Sequence, residues 1–184
     1  LALARLSSIR WLSNVAAGYV NLMRSIPLVL VIFWFFFLVP LILQGITGAE
    51  RPPQVGAERT AMITFILFEA AYFCEIMRAG IQSIPRGQVY SAYALGLTYG
   101  QSMRLVVLPQ ALRVIIPPLT SQYLNLTKNS SLAVSVGYPE LVSIANTTLN
   151  ETGRAIEALT SVMLVYLALS LAAAISLLFL VPLC

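Results

Sequence analysis

Apolar residues run almost without a break from Ile26 to about Leu43, from about Thr60 to Ile81 and from about Ala155 to Val181. Each run is close to the ~20 residues a helix needs to cross a hydrocarbon core about 30 Å thick. A further stretch, from about Leu112 to Val136, is apolar but interrupted by Pro117-Pro118 and by the polar cluster NLTKNSS at 125–131. Broken, polar helix at membrane depth is stable only where it lines a cavity or is buried in protein. The pattern therefore predicts four spans, with the third broken at these places and facing a path. Its end is marked by Gly137-Tyr138-Pro139, after which 140–153 reads as a connection on the outer surface.

Two other stretches follow helical spacing without being apolar all round. In 9–23, Trp11, Val15, Tyr19 and Leu22 recur at that spacing with Arg10, Ser13, Asn14 and Asn21 between them, which predicts an amphipathic helix along the membrane surface. Arg24-Ser25-Ile26-Pro27 ends it. The opening LALARLSS is too short for a span and reads as the tail of a helix lying upstream of Leu1. Between the first two spans, 44–59 is an exposed, extended loop carrying Pro52-Pro53. The interval 84–109 is longer than a turn requires. It predicts two short helices: one from about Gln88 to Leu95 stopped by Gly96, and one opened by Thr98 and Gln101 at capping-box spacing. Pro109 then stiffens the return to the membrane.

Composition agrees with this all-α membrane bundle. The chain is 59% hydrophobic and 10% charged, far below the roughly 25% charged residues of soluble domains. Its net charge of +4 comes from basic residues scattered singly; no basic stripe with stacking aromatics is present, which argues against nucleic acid. Lipid is the expected surrounding. Cys74 and Cys184 make neither a disulfide framework nor metal spacing, and with no histidine imidazole chemistry is excluded. No Walker sequence occurs, so the chain does not bind ATP by that route. If 84–109 lies inside, Arg5, Arg10, Arg24, Arg78, Arg86, Arg104 and Arg113 lie on or near the inner side and Arg51, Arg59 and Arg154 outside, the bias expected of a membrane protein.

Ionisable groups inside the spans cost about 2.5–3.5 kcal/mol each on insertion scales and so need a partner or a cavity. Glu75 and Arg78 are three apart and form an expected ion pair. Glu69 lacks a local partner and reads equally as a substrate-path residue or as one end of an interhelix hydrogen bond. Lys128, the one lysine, either reaches a headgroup or a carboxylate such as Glu69, or lines the path with Asn125, Asn129, Ser130 and Ser131. The aromatic run Phe33–Phe37 is packing or lipid-facing bulk.

The spacing Gly96, nine residues, Val106, any residue, Leu108, Pro109 resembles the cytoplasmic EAA loop of permease subunits of ATP-binding-cassette (ABC) importers. Tyr90, Ser91 and Ala92 stand where that family has Glu, Ala, Ala, so the glutamate is absent. Glu69-Ala70-Ala71 is a decoy, since Glu75 replaces the required glycine. Phrases such as FEAAYFCEIMRAGIQSIPRGQ, LPQALR and LTKNSSLAVSVGYPEL are similar to the polar amino-acid branch of these permeases. The first half is closer to glutamate/aspartate permeases, and the part from about Ile115 closer to general L-amino-acid permeases.

The resemblance implies a single MetI-like transmembrane domain over 1–184, of the type I importer fold and without its first helix. It implies an importer for polar amino acids in the bacterial inner membrane. The partners would be ABC ATPase subunits, a second identical or related permease subunit, and a periplasmic or extracellular solute-binding protein. ATP and Mg would be used by the ATPase; this chain would bind no cofactor and catalyse nothing. Tyr90, Ser91, Ala92, Gly96, Leu108 and Pro109 would couple it to the ATPase. As a hypothesis, Lys128 and the Asn/Ser cluster would meet the amino acid's carboxylate and Glu69 its ammonium. Competing readings are an ion-coupled secondary transporter or small channel, with Glu69 and Glu75 as ion sites, and a scaffold with no path.

Overall fold

In the computed structural model the described residues are 1–180 except 8 and 54, with side chains described to residue 176. Cys184 and the predicted end of the last span at Val181 lie outside the described residues. Among the described residues the chain is helical without strands: α1 (Ala2–Arg5), α2 (Arg10–Ser25), α3 (Leu28–Thr47), α4 (Ala57–Gln82), α5 (Arg86–Ala94), α6 (Tyr99–Val136), α7 (Leu141–Thr152) and α8 (Ala155–Leu180). Four of these, α3, α4, α6 and α8, are long and apolar enough to cross a membrane.

Prolines set much of the local geometry. Ile26 precedes Pro27 and is driven to extended backbone, φ −112° and ψ 137°, so α2 stops and α3 starts afresh. Within α3, the wide π turn Trp34–Leu38 comes just before Pro40. A proline there donates no N–H and its ring crowds the carbonyl four residues back; the wide turn absorbs both effects. The same device, Met103–Val107, precedes Pro109.

The continuity of α6 corrects two expectations. The helix opened at Thr98 is not a separate short one, because α6 runs unbroken from Tyr99 through Pro109 into the third span. Nor does Pro117-Pro118 break it. The helix passes through both prolines to Asn129, where it tightens into a 3-10 segment, Ser130–Val136, ended by Gly137 at φ 76°. Next to the proline pair, the Thr120 and Ser121 hydroxyls donate to the Ile116 and Pro117 carbonyls at 3.0 and 3.4 Å, while the carbonyls that the two prolines leave without an N–H are those of Arg113 and Val114, one turn earlier.

α4 is the centre of the packing. It meets α6, α2, α1 and α3. Leu28, Val31 and Ile32 of α3 close on Phe68 and on Val136 at the end of α6, while Val20 of α2 closes on Ala71 and Cys74. α2 is amphipathic as expected, but it docks on α4 through Val20, with Ala16 also buried; Trp11, Val15 and Leu22 point outward. The Tyr19 hydroxyl donates to the Leu67 carbonyl at 2.5 Å. Gly80 allows α4 to touch Ile115 of α6 closely. The connection 140–153 carries a helix that the hydrophobic pattern did not reveal. Its start is fixed by the Glu140 carboxylate, which accepts from the Val142 and Ser143 N–H groups at 2.9 and 2.8 Å.

Candidate functional site

The gap between α2 and α3 opens a cavity of about 620 Å3 about halfway along α4. One wall is Arg24, Ser25, Ile26 and Pro27, the extended break itself. A second is Phe68 and Tyr72 of α4, and a third is the row Gln122, Asn125, Asn129 and Leu132 of α6. The three amides are three and four residues apart, so a continuous helix stacks them on one face. The sequence pointed to Asn125 and Asn129. Gln122 and Arg24 were missed: Gln122 because it lies before the polar cluster, Arg24 because it looked like a helix flank.

The other predicted path residues go elsewhere. Glu69 is buried, 3% exposed, and lies behind the wall: Gln122 Nε2 donates to its Oε2 at 2.7 Å. That is the interhelix hydrogen bond of the two readings, and it leaves Glu69 Oε1 without a partner among the described residues. Lys128 is exposed on the outside of α6 and forms no ion pair among the described residues. The Ser131 hydroxyl donates to the Lys128 carbonyl at 2.8 Å, and Ser130 faces a separate cavity of about 470 Å3 with Glu140 and Tyr166.

Beside the amide-lined cavity is a charge cluster. Glu75 and Arg78 pair as predicted, with Arg78 Nε donating to Glu75 Oε2 at 3.0 Å. Arg5 of α1 also donates to Oε2, and Arg24 Nη1 stands 3.8 Å from Oε1. The two extra arginines come from distant segments, which no local spacing in the sequence could bring to Glu75.

The interval 84–109 presents a capped corner. Leu97 N–H returns to Ala92 O at 3.1 Å and Gly96 N–H to Tyr93 O at 2.9 Å, a Schellman closure that needs the left-handed backbone Gly96 adopts at φ 80°. The expected capping box is present: Gln101 Oε1 accepts from Thr98 N–H at 2.9 Å, and Thr98 Oγ1 from Gln101 N–H at 3.4 Å. Of the predicted coupling residues, Ala92 is buried and anchors α5, while Tyr90, Ser91, Gly96 and Pro109 are exposed and Leu108 is half-buried. Tyr90, Leu95 and Tyr99 stand 63%, 81% and 68% exposed, an apolar crest on the corner.

Residues 1–183 match the family described as binding-protein-dependent transport system inner membrane component. The chain belongs to that family. It is a multi-pass membrane permease and thus a transport component, which favours the importer reading over the ion-coupled transporter and the scaffold. The permease is 42% identical over 175 residues to the glutamate/aspartate import permease protein GltK of Escherichia coli O6:H1, covering 95% of this chain and 78% of GltK. It is 52% identical over 118 residues to the general L-amino acid transport system permease protein AapQ of Rhizobium johnstonii, covering 64% of this chain and 30% of AapQ. A crystal structure of an amino acid ABC transporter with histidines aligns with it at a TM-score of 0.85 and 26% identity, over 100% of this chain and 81% of that one.

Proposed function

We propose that this permease carries polar amino acids, of the glutamate/aspartate or general L-amino-acid type, inward across the bacterial inner membrane. It works as one of two permease subunits, with ATP-hydrolysing subunits on the inner side and a solute-binding protein outside. ATP and Mg are used by the ATPase partner. The observation that carries this reading is the continuity of α6. The helix that begins at the capped corner, at Tyr99, is the helix that carries Gln122, Asn125 and Asn129 on the cavity wall. At 1.5 Å per residue Gln122 lies about 34 Å and Asn129 about 45 Å from the corner along one helix, so a push at the corner reaches the cavity without crossing a loop.

In this reading the exposed Tyr90 and Ser91 beside Gly96 meet the ATPase, and Ala92 holds α5 in place. Leu108 and Pro109 lie where α6 turns into the bundle. Asn125 and Asn129 face the substrate, with Glu69 holding Gln122 in register. Lys128, Ser130 and Ser131 stand off the wall of this cavity. The relatives' names support the substrate class, and the absent glutamate at Tyr90 is offset by the intact corner.

The test is reconstitution with the cognate ATPase and binding protein in proteoliposomes, with a panel of amino acids supplied. ATP-dependent uptake of at least one polar amino acid is expected. Uptake that follows an ion gradient and ignores ATP would overturn the proposal. Lys128→Ala decides that residue's place: unchanged substrate affinity removes it from the path.

A further inference from the structure

Of the described side chains that wall the cavity between α2, α4 and α6, only Arg24 carries a charge. It is also the least committed of the three arginines around Glu75. Arg5 and Arg78 occupy both oxygens of that carboxylate, whereas Arg24 stands off at 3.8 Å with 38% of its side chain exposed. One carboxylate against three guanidinium groups leaves an excess of positive charge, and the arginine with the weakest hold on Glu75 is the one facing the cavity. Tyr72, on the adjoining wall, keeps it there: the guanidinium carbon lies 5.5 Å from the ring centroid, within the range of a cation–π contact.

The remainder of the wall suits the other end of a zwitterion. Gln122 uses its Nε2 on Glu69, which turns its carbonyl oxygen to other donors, and Asn125 and Asn129 add amides beside it. At the carboxylate end, by contrast, the start of α3 at Leu28 and Val29 opens on the same space and favours negative charge. Among the described residues no carboxylate lines the cavity: Glu69 lies behind Gln122 and Glu75 is saturated by arginine. A volume near 620 Å3 falls within the roughly 300–1,000 Å3 of small-ligand sites.

Resting on the importer reading above, we propose that Arg24 reads a substrate carboxylate in this cavity and sets the permease against cationic amino acids. A lysine or arginine side chain brought here meets a like charge with no counter-ion on the wall. Discrimination then comes from repulsion as much as from attraction.

The test uses the complete importer, purified in detergent without nucleotide or binding protein, and measures binding of labelled L-glutamate, L-glutamine and L-arginine. Glutamate is expected to bind most tightly and arginine least. In Arg24→Gln the glutamate-to-arginine affinity ratio is expected to fall at least tenfold, while Arg24→Lys, which keeps the charge, holds the ratio within about threefold of wild type. An unchanged ratio in Arg24→Gln, whether all affinities fall together or none does, overturns the assignment. ATP-driven uptake by the wild-type importer in proteoliposomes separates the two levels. Uptake present with an unchanged ratio sinks the Arg24 role alone; uptake absent for every amino acid sinks the importer reading and the role with it.

Discussion

The contact between α4 and α6 is the place where a single methyl group has a calculable effect. A Cβ added at Gly80 would lie 2.1 Å from Ile115 Cγ1 and 2.8 Å from Cδ1, but 3.5 Å from Ile115 Cβ, an ordinary contact. Ile115 is 1% exposed, so its side chain has no free space to swing into. Overpacking of this kind costs about 1–3 kcal/mol, partly offset by the ~1 kcal/mol that alanine gains over glycine in a helix. Gly80→Ala is thus expected to cost up to about 2 kcal/mol. Ile115→Ala alone leaves a cavity and costs about 2–5 kcal/mol. In the double variant the new methyl meets only the Ile115-position Cβ, so the clash is gone and part of the cavity is filled. The two changes should be non-additive by at least about 1 kcal/mol in the stabilising direction. Packing is the right term to test because lipid offers apolar side chains no penalty for exposure, leaving close contact to hold the helices together. The assay is unfolding in mixed micelles with rising SDS, followed by tryptophan fluorescence for the wild type, both singles and the double. Additivity within about 0.5 kcal/mol would refute the argument.

Three further outcomes are expected. Gly96→Val forces a β-branched residue into the left-handed backbone at φ 80°, at roughly 1–2 kcal/mol or more; co-purification of the ATPase should be lost, whereas Gly96→Asn, which tolerates that backbone, should retain most of it. Glu75→Gln strips three arginines of their counter-charge. Removing one partner of a buried pair costs about 3–5 kcal/mol, and with Arg5, Glu75 and Arg78 side chains 14%, 18% and 24% exposed a loss of about 2 kcal/mol is expected, read as a lower apparent Tm that high salt does not worsen. Glu140→Ala removes the acceptor for two N–H groups at the start of α7; a loss of about 1 kcal/mol should appear as faster amide exchange confined to the first turn of that helix.

What the sequence made legible was whatever depends on neighbours along the chain. The four spans follow from apolar length, and Gly96, Thr98 and Gln101 announce the corner because capping is a matter of three or four residues. The Glu75–Arg78 pair is legible for the same reason. Arg5 and Arg24 join it from segments far away in the chain, and only packing of α1 and α2 onto α4 brings them there. The proline pair misled for a physical reason: a proline inside a helix removes one N–H donor without forcing the chain to stop, and α6 runs on through both. The helix at 141–152 was hidden because its start depends on one carboxylate rather than on an apolar face.

The two kinds of proline effect divide the mechanical roles in the bundle. At Pro109 a π turn keeps the helix whole, and α6 becomes a rod joining the corner to Gln122, Asn125 and Asn129. At Pro27 the preceding residue is pushed into extended backbone, the helix is cut, and Arg24 is left at the broken end facing the same amides. A rod on one side of a cavity and a break on the other means that a displacement of the corner changes the spacing between the amides and Arg24 instead of carrying both along. Substitution of Pro27 separates this idea from a merely structural role for the break. Pro27→Ala removes the restraint that keeps Ile26 extended and permits α2 to run into α3, which would turn Arg24 away from the amides. The expected result is an importer that still assembles with its ATPase and hydrolyses ATP but has lost amino acid uptake. Retention of uptake at the wild-type rate would show that the break has no part in transport.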